Sequence, residues 1–234
     1  MQSGEKVIQA KANVPLKEGL FKKRNGEVID LKQLKPEEKY EIAYGETDRY
    51  RAGPAIGYVD PLILACSFRS VLDVGCGVGL SLLGFIIRKK IAKGTELCKY
   101  CLNNFLFPFV ASGIVKEARA QKLPYPDNSF DMVFCVDVLE HIPEGDVALV
   151  LSELHRVSSK YIFLGISMAK DIGMEKLGID LQLHETVQDK KWWGERCETA
   201  GMKFVQELPG MYGGKLVNRA NAGSWLFSKG GCDE

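Results

Sequence analysis

No stretch of this 234-residue sequence approaches the roughly 20 consecutive apolar residues of a membrane-spanning helix. The opening MQSGEKVIQAKANVPL lacks the apolar core of a secretion signal. Charge of one sign is missing too: 31 Lys and Arg against 30 Asp and Glu leave a net charge of +1. No basic, aromatic-interleaved tract of the kind that grips nucleic acid breaks that balance. Histidine is scarce, with His141, His155 and His184 the full set. Cysteine is present as seven residues, an odd number set inside predicted strands and helices. That is the usage of reduced cytoplasmic thiols and not of a disulfide framework. Cys98 and Cys101 have CxxC spacing, but no second pair follows to complete a zinc site. These absences point to a cytoplasmic globular chain with no membrane or nucleic-acid partner, and they carry no information on oligomeric state.

What is present is an alternation. Residues 1–57 are polar, lysine-rich and weakly periodic, and form an N-terminal extension or lid. From residue 58 a short apolar helix near Pro61 leads into strands at 71–74, AKGTEL, IVKEARA, FDMVFCVDV and KYIFLGIS. Between them lie helices at 80–90, at CKYCLNNFLFPFV, which Pro108 bends or ends, and at GDVALVLSELHRV. A last helix, VQDKKWWGERCETAGM, is stopped by Gly201, and its tryptophans are spaced for burial. KFVQEL and GSWLFSK then follow as strands with only a loop between them, which makes them antiparallel neighbours. Alternating strands and helices imply right-handed crossovers. The expectation is one α/β domain over 58–234, with a mostly parallel sheet, an antiparallel last strand and helices on both faces.

The stretch SVLDVGCGVGLSLL, residues 70–83, is a strand entering a glycine-rich turn and a helix. A dinucleotide turn reads GxGxxG, and Leu80 stands where its third glycine would be. Asp73, inside the strand, would repel a pyrophosphate and attract an amino group. Glu96 ends the next strand, where an acidic residue receives ribose hydroxyls. Together they favour a cationic, phosphate-free nucleoside, and S-adenosylmethionine fits that description.

The pieces VLDVGCGVG, GTEL, LPYPDNSFDMVFCVDVLEHIP and WWGERCETAGMKF, in this order over about residues 58–229, resemble the class I S-adenosylmethionine-dependent methyltransferases of the type-11 kind. The resemblance implies a seven-stranded Rossmann-like sheet whose last strand inserts antiparallel between its neighbours. It implies S-adenosylmethionine as cofactor, with Asp73, Gly75, Cys76 and Gly77 at the methionine end and Glu96 and Leu97 at the ribose. Ala120, Gln121 and Leu123 would lie beside the adenine, and Cys135, Val136 and Asp137 at the strand end beside the cofactor. The chain departs from the family at Arg119, where many relatives carry an aspartate that reaches the adenine amino group. The backbone around Ala120 is left for that contact. Arg51 either pairs with the methionine carboxylate as a planar fork or lies on a surface loop, with Tyr44 and Tyr50 in the same lid segment.

Chemistry falls at VDVLEHIP. Glu140 and His141 are the candidate catalytic residues there, joined by His184, whose segment returns over the mouth of the sheet. A histidine can act as general base toward an acceptor oxygen or nitrogen. Alternatively Asp137, Glu140, His141 and His184 hold a divalent ion, as in the acidic-x-x-Glu-His segment of O-methyltransferases acting on ubiquinone precursors or RNA 3′ ends, or they only shape the turn. The base or shaping role is favoured, and no metal ligand is assigned. No separate substrate domain is present, so the expected acceptor is a small molecule, such as a sugar hydroxyl or another metabolite hydroxyl, amine or carboxylate. The competing readings are a protein or RNA methyltransferase and a non-catalytic adaptor.

Overall fold

The computed structural model describes residues 20–48, 51, 53–171, 181–212, 215–217 and 222–230. It opens with an antiparallel hairpin, β1 (Leu20–Lys22) on β2 (Val28–Asp30), followed by α1 (Pro36–Glu46). Glu38 closes a capping box at the start of α1 by accepting the Lys35 N–H. Weak periodicity hid this helix because only Ile42 and Ala43 on it are fully buried. Tyr50 lies outside the described residues.

The sheet is assembled from β3 (Ser70–Val74), β4 (Ile91–Glu96), β5 (Val115–Glu117), β6 (Phe130–Val136) and β7 (Ser158–Ser167). It is completed by β8 (Lys203–Glu207) and, after a small hairpin of β9 (Gly210–Tyr212) and β10 (Lys215–Val217), by β11 (Ala222–Ser228). The strand order is β5-β4-β3-β6-β7-β11-β8, parallel except for β11, which runs antiparallel between β7 and β8. The antiparallel β8–β11 pair is the one expected from the short link between the last two strands, and the insertion of β11 is the one that the resemblance implied. The link also carries the β9–β10 hairpin, which the loop composition did not signal.

Helices α2 (Val59–Ala65), α3 (Leu80–Ile87), α4 (Lys99–Asn104), α5 (Phe107–Ala111), α6 (Glu144–Val157) and α7 (Lys190–Thr199) cover the sheet. The expected single helix at residues 98–110 is two. Pro108 sits in the first turn of α5, where the missing N–H costs nothing, so it starts a helix instead of ending one. Central strands such as FDMVFCV are buried on both faces. One face packs Val133, Leu151, Leu154 and the fully buried Trp193; the other packs Leu82, Phe85, Phe134 and Phe163, the last two stacked at 5.5 Å. A third, smaller cluster of Phe21, Leu31, Ile42, Ala43, Leu181 and Leu183 joins the N-terminal hairpin and α1 to the segment before His184. No helix among the described residues is long and apolar enough to cross a membrane.

Candidate cofactor and acceptor site

The turn after β3 is held by Gly75 and Gly77, both left-handed at φ +71° and +55°. A Cβ on Gly75 would stand 2.4 Å from Val138 Cγ2, and one on Gly77 2.9 Å from the Tyr44 hydroxyl. Backbone geometry and crowding both demand glycine here. Above the turn, at the carboxyl ends of β3, β4 and β6, lies a cavity of about 650 Å³.

Two buried carboxylates define one end. Asp73 is 2% exposed and accepts a 2.6 Å hydrogen bond from the Ser81 hydroxyl. Burial pushes its carboxyl up to about 7, against that hydrogen bond. Ser81 comes from the first turn of α3, a partner that the strand pattern alone did not reveal. Glu96 accepts the Gly77 N–H on one oxygen at 2.7 Å and the Leu97 and Cys98 N–H groups on the other, both at 2.8 Å. The glycine turn is thereby pinned to the end of β4. Burial raises the Glu96 carboxyl, and the three N–H bonds pull it back down.

Of the residues that the resemblance assigns to the cofactor, Cys76, Leu97, Ala120, Gln121, Val136 and Asp137 line the cavity. Three assigned residues do not. Cys135 points the other way because β6 alternates: Val136 faces the cavity, and Cys135 joins the core beneath α6. Leu123 is buried in that same core, its N–H donating to Glu153. Arg51 donates to the Tyr44 and Gly45 carbonyls at the end of α1 and pairs with Asp48, its guanidinium lying against Tyr100 and Phe105. It closes a helix C-terminus, where a cation is favoured, and is not free to fork a ligand carboxylate.

At the other end the chain leaves β6 through Asp137, itself left-handed at φ +54°, whose N–H donates to the Gly165 carbonyl. A single turn of 3-10 helix, Leu139–His141, follows. Glu140 is fully buried and accepts the Ser167 N–H at 3.0 Å; its carbonyl accepts the Glu185 and Thr186 N–H groups. His141 Nδ1 is 2.9 Å from the Leu183 carbonyl, and His184 Nδ1 is 2.5 Å from the Ala169 carbonyl. A carbonyl only accepts, so each Nδ1 carries a proton and the Nε2 of each ring is left to face other groups. The two rings meet edge to face at 4.9 Å, with Tyr40 of α1 on His141 at 5.7 Å. Burial, and next the neighbouring His184, push His141 down to about 4, so it is neutral at pH 7. Burial raises the Tyr40 phenol.

One ligand atom each from Glu140, His141 and His184 lies within 4.8 Å of the others. Asp137 lines the same cavity but is not a member of that trio. One carboxylate and two imidazoles are ligand types that a divalent ion takes, though the sequence assigned no metal ligand. Tyr40 was missed, although Tyr40 and Tyr44 are spaced i, i+4 and so share one face of α1.

Fold and site define a Rossmann-like domain with a nucleoside-sized cavity, acids under its glycine turn and imidazoles at its far end. Residues 72–161 match the family model for a methyltransferase domain. A ubiquinone biosynthesis O-methyltransferase of Nitrosomonas europaea is 30% identical over 96 residues, 38% of this chain and 40% of that protein. A sterol 24-C-methyltransferase of Gibberella zeae is 28% identical over 139 residues, 50% of this chain and 34% of that protein. The chain thus spans well under two thirds of the length of the curated relatives it matches. Among solved structures, magnesium protoporphyrin IX methyltransferase from Synechocystis PCC 6803, with bound SAH, aligns with a TM-score of 0.59 at 14% identity. That alignment covers 82% of this chain and 93% of the other. The PH0226 protein of Pyrococcus horikoshii OT3 aligns with a TM-score of 0.60 at 15% identity, over 78% of this chain and 92% of its own. At such identities the likeness is one of fold.

Proposed function

We propose that this protein transfers the methyl group of S-adenosylmethionine to a hydroxyl or amine of a small molecule, such as a sugar or another metabolite, held at the Glu140–His141–His184 end of the cavity. The observation that carries the reading is one cavity lined at one end by Asp73 and Glu96 and at the other by two imidazoles. S-adenosylmethionine, when bound, supplies an electrophilic methyl group. Asp73 receives the amino group of the methionine end, and Glu96, already holding the glycine turn in place, receives the ribose hydroxyls. His141 presents its Nε2 lone pair to the acceptor's O–H or N–H and takes its proton as the methyl group is attacked. Burial makes it a weak base, and the Asp171 carboxylate offsets part of that weakness. A small acceptor is supported by the enclosure of the site by α1 and the residues around His184, and by the metabolite-directed names of the relatives.

The donor trio favours a second reading of the same atoms. Glu140, His141 and His184 would hold a divalent ion that lowers the pKa of an acceptor hydroxyl.

The test is transfer of labelled methyl from S-adenosylmethionine into a cell extract separated into small-molecule, protein and RNA fractions. Label in the small-molecule fraction is expected, reduced about 10²-fold by His141→Ala. Label confined to protein or RNA overturns the acceptor class. Transfer that survives a chelator removes the metal.

A further inference from the structure

The cavity wall carries a hydroxyl that the mechanism has not used. The inference drawn from it rests on the acceptor reading above and narrows it. Tyr40, in the second turn of α1, lines the cavity. Its ring packs edge to face on His141 at 5.7 Å. Burial raises its phenol, and the carboxylates that add to this include Glu140 from the acceptor end and Glu96 from the cofactor end. The phenol thus stands among acids of both ends and keeps its proton at neutral pH. Its O–H has no hydrogen-bond partner among the described residues.

A donor withdrawn from solvent needs an acceptor. No described residue supplies one, which leaves the incoming molecule, and what it can supply depends on its attacking atom. A hydroxyl oxygen has two lone pairs. One forms the bond to the methyl carbon as the carbon–sulfur bond breaks and its electron pair stays on sulfur. The other can accept from Tyr40, while the hydroxyl's own proton goes to His141 and the phenol keeps its proton. An amine nitrogen has a single lone pair. The methyl carbon takes it, and the Tyr40 hydrogen is left without an acceptor.

We infer that Tyr40 selects oxygen over nitrogen at the acceptor position: its phenol donates to the second lone pair of an attacking hydroxyl, beside the His141 ring. The substrate class is thereby an alcohol or a phenol. The hydrogen bond strengthens as His141 draws the proton away and negative charge gathers on that oxygen, so it favours the transition state over the bound acceptor.

The test supplies S-adenosylmethionine with an NMR-active methyl carbon to the purified chain and the small-molecule fraction of a cell extract. Proton–carbon correlation of the products separates methoxy from N-methyl and C-methyl groups. Wild-type protein is expected to give methoxy product; a predominant N-methyl or C-methyl product overturns the assignment without any variant. Tyr40→Phe keeps the ring on His141 and removes only the hydroxyl. It is expected to slow methoxy formation by about 10- to 100-fold and to lower the ratio of methoxy to N-methyl product. Its calorimetric affinity for S-adenosylhomocysteine should stay within about twofold of wild type. Methoxy formation at the wild-type rate overturns the assignment. So does a loss matched by equally weakened S-adenosylhomocysteine binding, which marks a merely structural role. If the wild type labels no small molecule, the acceptor reading itself fails, and the assignment falls with it.

Discussion

The two ends of the cavity are held together in different ways. At the cofactor end, both acids are satisfied within the run from β3 to the residues just after β4: Asp73 by Ser81, and Glu96 by Gly77, Leu97 and Cys98. At the acceptor end, the side chains are positioned from other parts of the chain. His141 bonds the Leu183 carbonyl and touches Tyr40; Glu140 accepts from Ser167; Lys39 of α1 reaches Glu185. The first end is a property of one strand–turn–helix–strand unit, β3 to β4. The second exists only when α1 and residues 181–186 pack together through Ile42, Ala43, Leu181 and Leu183. A domain built this way can keep one end of its cavity constant and change the other by altering how one surface helix and one loop pack.

The sharpest way to break that contrast is at the turn. Gly75→Ala combines a left-handed backbone, worth about 1–2 kcal/mol for a side-chain-bearing residue, with a Cβ driven into Val138. A total loss of about 2–4 kcal/mol is expected in denaturant unfolding, with cofactor affinity down about 100-fold. A loss below about 1 kcal/mol would show that the cofactor end is not the rigid one.

A smaller effect sets the two ends against each other in pH. The Asp73 carboxyl stands at about 7 in the fold against its ordinary 3.8. The folded state therefore binds the extra proton, and the stability this contributes is lost as pH rises from about 4 to 7. His141 is the opposite case, at about 4 against its ordinary 6.5. Between those values the unfolded chain binds more protons, so its contribution is lost as pH falls from 6.5 to 4. The two slopes oppose each other in the wild type. Unfolding free energies measured from pH 4 to 7 should show Asp73→Asn gaining stability with pH relative to wild type and His141→Asn losing it, each by at most about 1.4 kcal/mol per pH unit. Difference curves of the same sign would sink the comparison.

The smallest effect is expected at Arg51. Because its guanidinium is spent on α1 carbonyls and Asp48, Arg51→Ala should lower the melting temperature by a few degrees. S-adenosylhomocysteine affinity should stay within about twofold. A tenfold loss of affinity would return Arg51 to the ligand's carboxylate and make the lid part of the cofactor end.

Much of the cofactor end was legible in the chain because its physics is local. Glycines at 75 and 77 signal left-handed backbone through their own missing side chains. Apolar runs such as FDMVFCV announce strands buried on both faces, and the absence of room for a crossover between KFVQEL and GSWLFSK dictates an antiparallel pair. Glu140 and His141 were visible as neighbours after a strand. Contacts set by distant partners were not legible in this way. Arg51 reads as a ligand-binding arginine until α1 is seen to end beneath it. Cys135 and Leu123 sit at motif positions, yet the pleat of β6 and the core under α6 turn them inward. Tyr40 carries no motif at all and acquires meaning only from the His141 ring that it faces. By itself, then, the sequence determined the strand–turn–helix unit, the alternation of strands and helices and the residue types available for chemistry, because propensity, periodicity and left-handed turns act through adjacent residues. Only the tertiary structure decided that His184 meets His141 across 43 positions, with both rings' Nδ1 protons taken by carbonyls. That depends on burial and hydrogen-bond partners brought together from far apart in the chain, which no local pattern records.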